Sequence, residues 1–197
     1  MSTEKADCPV CGQTAAPAAE VPGRVPPIRT FAIFHCPNCR FSFIASPRTD
    51  YETIYSPDYY QGLGADPMVH YLYDHLYPDE TLRRYEWQGL VTVFRSLVKS
   101  PEQAQWLDYG CGLGSLVRWG RRAGVNISGF DPYAQSEPAR EMTEEEKLWK
   151  PHLLSPAELA GRTFDFVTSI EVIEHTADPL NFLKSIRPLL KPGGILF

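Results

Sequence analysis

The sequence predicts an α/β fold in which a small metal-binding module precedes a domain built on an open, parallel β-sheet. Three observations lead to this prediction. Two Cys-x-x-Cys pairs lie within residues 8–39. A short apolar run at 106–109 leads into a glycine-rich turn, after which apolar residues return at helical spacing. Two later apolar runs, at 126–131 and 164–170, also have the character of strands, and strands that alternate with helices are typical of a parallel sheet.

The composition is that of an ordinary globular protein with an excess of negative charge. The 197 residues leave room for one good-sized domain and a small one, and the hydrophobic share of 43% allows a real core. A net charge of −5 argues against nonspecific binding to nucleic acid or to an anionic membrane, because both favour basic surfaces. No apolar run approaches the length of a membrane span, and the polar start at 1–5 is unlike a signal peptide. We therefore expect a cytoplasmic protein without a membrane partner, and the oligomeric state is left open.

The first signal along the chain is a set of four cysteines. Cys8 and Cys11 form one Cys-x-x-Cys pair, Cys36 and Cys39 form the other, and twenty-four residues separate the pairs. Two such pairs on facing turns provide the four thiolates of a tetrahedral zinc site, as in a zinc ribbon. Four sulfurs leave no open position for water or substrate, so the zinc is expected to be structural. The alternatives are two disulfides, which a cytoplasmic setting disfavours, or a redox role.

A connecting segment at 47–100 separates the cysteine module, at 1–46, from the larger domain, at 101–197. The second part of this segment has apolar residues at three-to-four spacing, which predict a helix over about 80–99. We expect this helix to cover one face of the sheet as a support. The first part is rich in tyrosine, with Tyr51, Tyr55, Tyr59, Tyr60, Tyr71, Tyr73 and Tyr77.

The turn after the first strand of the larger domain indicates a ligand that lies against bare backbone. Asp108 is followed by Gly110, Gly112 and Gly114 in a D-x-G-x-G-x-G pattern. The dinucleotide fingerprint G-x-G-x-x-G fails in both registers, because neither has a glycine at its third position. A carboxylate at the end of the strand would repel a pyrophosphate but suits a cation.

Four motifs in this order resemble the class I S-adenosylmethionine-dependent methyltransferases. They are the acid-and-glycine turn at 108–114, the acid-ended strand at 126–132, the segment 164–179 and the glycine turn at 191–197. The resemblance covers about the last half of the chain and implies a Rossmann-like sheet with S-adenosyl-L-methionine as cofactor. Together with the cysteine module and the run 54–60, it extends to bacterial methyltransferases with an N-terminal zinc-binding module, including sugar C-methyltransferases of antibiotic pathways. Because the family fold has seven strands and the sequence ends within the fifth, we expect a fragment or a truncated chain.

The resemblance implies a cofactor site at the ends of the first two strands. Asp108 is expected to hold the cofactor's ammonium group, and Asp131 to accept hydrogen bonds from both ribose hydroxyls, since a carboxylate has two oxygens. A third strand is expected at 152–154. Ser155 follows it where the family often has an acid or amide for the adenine, so Ser155, or Glu158 in its place, is the candidate for that contact. The other expected contacts are Gly110, Gly112, Gly114, Cys111 through its backbone only, and Pro132 and Tyr133 beside the adenine.

The end of the fourth strand and the tyrosine-rich segment supply the remaining candidates. By resemblance to the sugar methyltransferases, which have a Glu-His pair at this point, His175 is the candidate base and Glu174 its partner. The alternative is that the pair only bonds backbone at the strand end. Glu171 is expected to contact the cofactor. Tyr60 is the candidate lid residue, because in such enzymes this region lies over the cofactor cleft, and the alternative is that it packs the module against the larger domain.

Three functions follow from these patterns. The first, which we expect, is transfer of a methyl group from S-adenosyl-L-methionine to a small molecule such as a sugar or another natural product. The second is an RNA-directed methyltransferase with a zinc module, which the acidic composition disfavours. The third is a noncatalytic zinc-ribbon protein that docks a partner.

Overall fold

Two four-stranded sheets, one antiparallel and one parallel, organise the chain. The computed structural model describes residues 5–23, 28–64, 67–133 and 142–197. None of the helices in these ranges combines the length and the apolar character needed to cross a bilayer.

The N-terminal module is an antiparallel sheet closed by two cysteine turns. Its strands are β1 (Ala6–Asp7), β2 (Thr14–Pro22), β3 (Thr30–His35) and β4 (Ser42–Ile44), paired in that order. The buried residues are few, namely Cys8, Ala15, Phe34 and Cys36, so the module has little apolar area with which to stabilise itself.

The two cysteine turns share one backbone pattern. The Cys8 carbonyl accepts from the Gly12 amide at 2.9 Å, and the Cys36 carbonyl accepts from the Arg40 amide at 2.8 Å. Gly12 and Arg40 both have positive φ, at 71° and 64°. Glycine adopts this conformation without strain, whereas for arginine it is unfavourable. Arg40 therefore has a strained backbone, which the rest of the second turn must stabilise.

In the described residues 47–64 and 67–100, four helices connect the module to the larger domain: α1 (Tyr51–Ile54), α2 (Pro57–Tyr60), α3 (Tyr71–Leu76) and α4 (Arg83–Leu97). The helix predicted over 80–99 is α4. Its residues Trp87 and Phe94 are buried, and the Phe94 ring stacks on Trp106 of the sheet with centroids 5.0 Å apart. Full burial of such side chains stabilises the fold by about 1.5–3 kcal/mol each.

The larger domain is a parallel sheet with strand order β6-β5-β7-β8. Its strands are β5 (Trp106–Tyr109), β6 (Ile127–Phe130), β7 (Phe164–Thr168) and β8 (Leu190–Leu196). Helices cover both faces, and β5 and β6 are accordingly buried along almost their whole length. The helices that follow α4 are α5 (Ser115–Arg122), α6 (Glu146–Trp149), α7 (Pro156–Leu159) and α8 (Pro179–Ile186).

The strand expected at 152–154 is reduced to a single parallel bridge between Leu153 and Gly129. Pro151 and Pro156 flank this segment, and a proline has no amide hydrogen to donate to a ladder. The sheet therefore has only a rudimentary strand beyond β6.

The topology brings three strand ends together at one edge. β6 lies on one side of β5 and β7 on the other, so the chain changes direction across the sheet at β5. In open α/β sheets, ligands bind outside the carboxyl ends of the strands at such a switch point. The residues that follow β5, β6 and β7 therefore lie where a ligand would bind.

Candidate functional site

A cavity of about 440 Å³ lies at the carboxyl ends of β5, β6 and β7. Its wall contains backbone from the glycine turn, acidic side chains from the strand ends, and aromatic rings from the connecting segment. Of the predicted site residues, those that line it are Tyr60, Asp108, Gly110, Cys111, Gly112, Asp131, Pro132, Tyr133, Glu171 and His175. The binding role of each stays a prediction.

The three glycines of the turn meet three different surroundings. A Cβ at Gly110, where φ is +87°, would lie 2.5 Å from Val172 Cγ2, so this glycine lets the turn pack under the loop after β7. A Cβ at Gly112, where φ is +52°, would meet no atom within 4 Å. Gly114, with φ at +82°, is the N-cap residue directly before α5 and does not line the cavity. Gly112 is therefore the glycine whose backbone lies open to a ligand.

Asp108 is a buried acid at the end of β5. Its side chain belongs to a residue that is only 6% exposed, and its Oδ1 accepts a hydrogen bond of 2.8 Å from the Thr168 hydroxyl. Burial, and to a smaller extent the charge of Asp131, raise the pKa of Asp108 to about 7, although the Thr168 hydrogen bond acts in the opposite direction. A cation placed against this carboxyl group would favour its ionised form.

Asp131 closes the glycine turn from the end of β6. Its Oδ2 accepts from the Gly112 amide at 2.9 Å, and its Oδ1 accepts from the Tyr133 amide at 2.8 Å. These two bonds orient the carboxylate at the edge of the cavity, and a carboxylate oxygen can accept more than one hydrogen bond.

The thiol of Cys111 lies beside these two acids. Burial raises the pKa of Cys111 well above its usual value, and the charges of Asp108 and Asp131 add to the effect. Because the thiolate is the nucleophilic form, this environment keeps Cys111 unreactive, and its backbone contact with the cofactor stays a prediction.

Six tyrosines form a roof over the cavity. Tyr55 is central, with its ring 5.0 Å from that of Tyr59 and 5.6 Å from that of Tyr133. The Tyr51 hydroxyl accepts a 3.2 Å hydrogen bond from the Ala177 amide, which ties the roof to the far wall. Burial and the charge of Asp131 raise the pKa of Tyr60, so its hydroxyl remains a donor. The roof consists of Tyr51, Tyr55, Tyr59, Tyr60, Tyr71 and Tyr133.

The sequence reasoning missed a charged cluster at the start of α4. Arg83 Nη2 lies 3.2 Å from Glu171 Oε2, its Nε lies 3.3 Å from Asp74 Oδ2, and its guanidinium lies 5.2 Å from the centroid of the Tyr71 ring. The helix expected only to support the sheet therefore also supplies cavity residues, including Trp87. The spacing of α4 indicates one buried face, and it contains no signal that Arg83 faces an acid 88 residues away.

Of the two candidate acid-base residues, His175 lies at the cavity and Glu174 does not. His175 lines the cavity, and its ring lies edge-on to Tyr55 with centroids 6.5 Å apart. Glu174 is exposed and does not line the cavity, and no hydrogen bond joins it to His175 in the described part of the chain.

Ser155 and Glu158 lie outside the cavity. They form a capping box at the start of α7, in which the Ser155 hydroxyl accepts from the Glu158 amide and the Glu158 carboxylate accepts from the Ser155 amide. Both side chains are thus engaged in starting a helix, and an adenine contact by either stays a prediction.

The four N-terminal cysteines converge away from this cavity. Their sulfur atoms all lie within 4.8 Å of one another, and two of the pairs, Cys8 with Cys39 and Cys11 with Cys36, are 3.5 Å apart. None of the four forms a disulfide. A tetrahedron of zinc-bound sulfurs, with Zn–S bonds of about 2.3 Å, has edges of about 3.8 Å, so the donor set fits this ion.

The fold and the cavity define an α/β protein with a ligand cleft at the ends of its parallel strands. Residues 80–197, which are more than half of the chain, match the family model described as a methyltransferase domain. The chain belongs to this methyltransferase family, and the predicted Rossmann-like class I methyltransferase fold is confirmed.

Curated relatives have names that agree with the family. A ubiquinone biosynthesis O-methyltransferase of Cereibacter sphaeroides is 42% identical over 94 residues, which cover 46% of this chain and 38% of the relative. The protein of the same name from Parvibaculum lavamentivorans is 38% identical over 104 residues, covering 51% of this chain and 41% of that protein. The matched region thus spans about two fifths of the length of these relatives.

Two solved structures are similar at a lower level. DesVI of Streptomyces venezuelae has 20% identity and a TM-score of 0.39, covering 63% of this chain and 53% of that chain. An S-adenosylmethionine-dependent methyltransferase of Clostridium acetobutylicum has 16% identity and a TM-score of 0.41, covering 64% and 53%. These values are too low to add to the family assignment.

Replacing Asp108 by Asn should stabilise the unliganded protein more at pH 8 than at pH 5. The buried acid keeps its proton up to about pH 7, whereas in the unfolded chain it ionises near pH 3.9, so the folded state binds more protons between these values and its stability falls as the pH rises. Asparagine does not titrate and can still accept from Thr168. The free energy of unfolding, followed by tryptophan fluorescence, measures the difference at both pH values.

Asp165→Asn is the control for this experiment. Burial alone would raise the pKa of Asp165, but hydrogen bonds from the Gln105 amide and Lys191 lower it overall, so its contribution is already complete at pH 5. Its effect should be the same at pH 5 and pH 8. An effect of Asp108→Asn that is likewise independent of pH would contradict the buried, protonated state.

Proposed function

We propose that the protein transfers a methyl group from S-adenosyl-L-methionine to a small molecule. The observation that carries the proposal is the meeting of three features on one cavity wall: the buried carboxyl group of Asp108, the open backbone at Gly112 and the carboxylate of Asp131. Membership of the methyltransferase family supports the reaction. The names of the curated relatives support a small-molecule acceptor and an oxygen as the methylated atom.

Each of these residues has a role that its surroundings support. Asp108 would hold the ammonium group of the methyl donor, whose charge offsets the cost of ionising a buried acid. Asp131, already oriented by two amide hydrogen bonds, would accept from the ribose hydroxyls. When bound, the cofactor supplies an electrophilic methyl group, and the protein contributes mainly by alignment of the acceptor behind it. The tyrosine roof would exclude water and position that acceptor.

His175 is the proposed base. It lines the cavity next to the roof, where it would take the proton of an acceptor hydroxyl as the methyl group is transferred. Glu174, which is exposed and outside the cavity, would affect the reaction only indirectly.

We also propose that the four cysteines hold one structural zinc ion. The convergence of their sulfurs supports this, as does the small core of the module, which leaves the folding energy to be supplied by a metal.

S-adenosylhomocysteine should bind the intact, zinc-loaded protein with measurable heat in titration calorimetry. Gly112→Ala should weaken this binding by at least about tenfold, because the added methyl group would occupy the open side of the turn. Gly124→Ala is the matched control, since Gly124 also has positive φ and open space around its Cβ but lies away from the cavity. Absence of heat with the parent protein, or equal affinity in the two variants, would contradict the proposed site.

Metal analysis should find one zinc per chain in the parent protein and in Cys111→Ser, but far less in Cys36→Ser. Cys36 is fully buried in the cysteine cluster, and three remaining thiolates cannot fill a tetrahedral shell. Full zinc content in Cys36→Ser would refute the four-cysteine site.

His175→Asn should lower the rate of labelled-methyl transfer to hydroxyl acceptors by about 10²–10⁴-fold while leaving the affinity for S-adenosylhomocysteine nearly unchanged. Glu174→Gln should have a smaller effect of the same kind, because it touches neither cavity nor acceptor. A His175→Asn protein that transfers methyl groups at the parent rate would exclude the histidine as base.

A further inference from the structure

Three side chains form a hydrogen-bonded row that ends at Asp108. Trp106 Nε1 lies 2.8 Å from Thr168 Oγ1, and Thr168 Oγ1 lies 2.8 Å from Asp108 Oδ1. Trp106 and Thr168 are both fully buried. The row crosses from β5 to β7, in which Asp108 and Thr168 are directly paired.

The direction of the row is fixed by its first member. An indole nitrogen can only donate, so the Thr168 oxygen accepts at that end. A hydroxyl has one proton, and the nearest acceptors for it are Asp108 Oδ1 at 2.8 Å and the Leu107 carbonyl at 3.5 Å. The shorter contact is the hydrogen bond, so both donors in the row point toward Asp108.

The row forms a hydrogen bond to only one of the two carboxyl oxygens of Asp108. Oδ1 accepts from Thr168, whereas Oδ2 accepts no hydrogen bond from the residues that the structure describes. Because Asp108 lines the cavity, Oδ2 is the oxygen available to a ligand. The bond to Oδ1 also opposes the effects of burial and of Asp131, which favour the protonated acid.

Core packing alone does not account for a threonine at this position. The neighbours of Thr168 in β7 include Phe166 and Val167, which are fully buried, and a valine would fill the same space. A buried hydroxyl without a partner would be costly, and here both its donor and its acceptor capacity are used.

We propose that Thr168, oriented by the indole of Trp106, is a positioning residue for the methyl donor: it fixes the Asp108 carboxylate so that Oδ2 accepts the donor's ammonium group. This inference rests on the proposed function, and specifically on Asp108 as the ammonium ligand. It assigns to the binding site two core residues that do not line the cavity.

The test compares two ligands that differ in the group Asp108 would hold. S-adenosylhomocysteine carries the amino-acid portion, and 5′-methylthioadenosine lacks it. At pH 8, Thr168→Val should lower the affinity for S-adenosylhomocysteine by about tenfold, the factor that corresponds to loss of one hydrogen bond to a charged group. The affinity for 5′-methylthioadenosine should fall by less than about twofold. Thr168→Ser, which keeps the hydroxyl, should restore most of the affinity for S-adenosylhomocysteine.

Trp106→Phe provides an independent variant that keeps an aromatic ring in the core. Without the indole donor, the Thr168 hydroxyl is free to turn away from Asp108, so the affinity for S-adenosylhomocysteine should fall by a smaller factor. In the Thr168→Val background the same change should have no further effect, since the row is already interrupted. Additive losses would show that the two residues act separately and would overturn the proposal.

The pH dependence gives a second measurement. Binding of the ammonium group requires the ionised carboxylate, so affinity should decrease as the pH falls below the pKa of Asp108. Thr168→Val removes a bond that lowers this pKa, and the midpoint should move to higher pH. Among the residues that the structure describes, the titratable groups that interact with Asp108 are Asp131, at the end of β6, and Cys111, in the glycine turn, and both are the same in the two proteins.

The outcomes separate this inference from the function on which it rests. If the parent protein does not bind S-adenosylhomocysteine, both fail. If the parent binds it and Asp108→Asn does not, but Thr168→Val binds like the parent, the function stands and the positioning role is wrong. If Thr168→Val lowers the affinity for both ligands by the same factor, Thr168 has only a structural role, and the proposal is likewise overturned.

Discussion

The larger domain is organised around the cost of keeping a carboxyl group out of water. Asp108 lies where three parallel strands end, under a tyrosine roof, and there it is only 6% exposed. An isolated charge in such a place is strongly unfavourable, so the acid is stabilised either by a proton or by a cation. Burial and the charge of Asp131 favour the protonated acid, whereas the hydrogen bond from the Thr168 hydroxyl favours the ionised form that a cation would bind.

The roof shows how a segment without a core of its own becomes part of the site. Helices α1, α2 and α3 are four to six residues long, too short to be stable alone. Their tyrosine rings pack on one another at centroid distances near 5 Å and on Tyr133 of the larger domain, while Arg83 links Asp74 of α3 to Glu171 beyond β7. Tyr60 packs on Tyr59 and Tyr71 of the same segment and also lines the cavity, and its role as a lid residue stays a prediction.

The sequence was most informative where chemistry is local. An acid and three glycines within seven residues predict a turn at the end of a strand, and the paired cysteines predict a cluster, because both patterns depend on neighbours in the chain. It was less informative where one local pattern can serve two purposes. Gly114 is the N-cap residue of α5, and Ser155 and Glu158 form the capping box of α7, although a cofactor contact was expected at these positions. Thr168 and Arg83 were missed because their partners lie 60 and 88 residues away, and no periodicity encodes such pairs.

The contact between α1 and the loop after β7 joins two segments that are synthesised far apart in time. The Tyr51 hydroxyl meets the Ala177 amide across 126 residues of chain. The ribosome delivers the N-terminal part first, so α1 emerges long before the loop that anchors it exists, and bringing such distant segments together costs loop-closure entropy. The contact between Tyr51 and Ala177 can therefore form only after residue 177 has left the exit tunnel, so this tie across the cleft is completed late in biosynthesis.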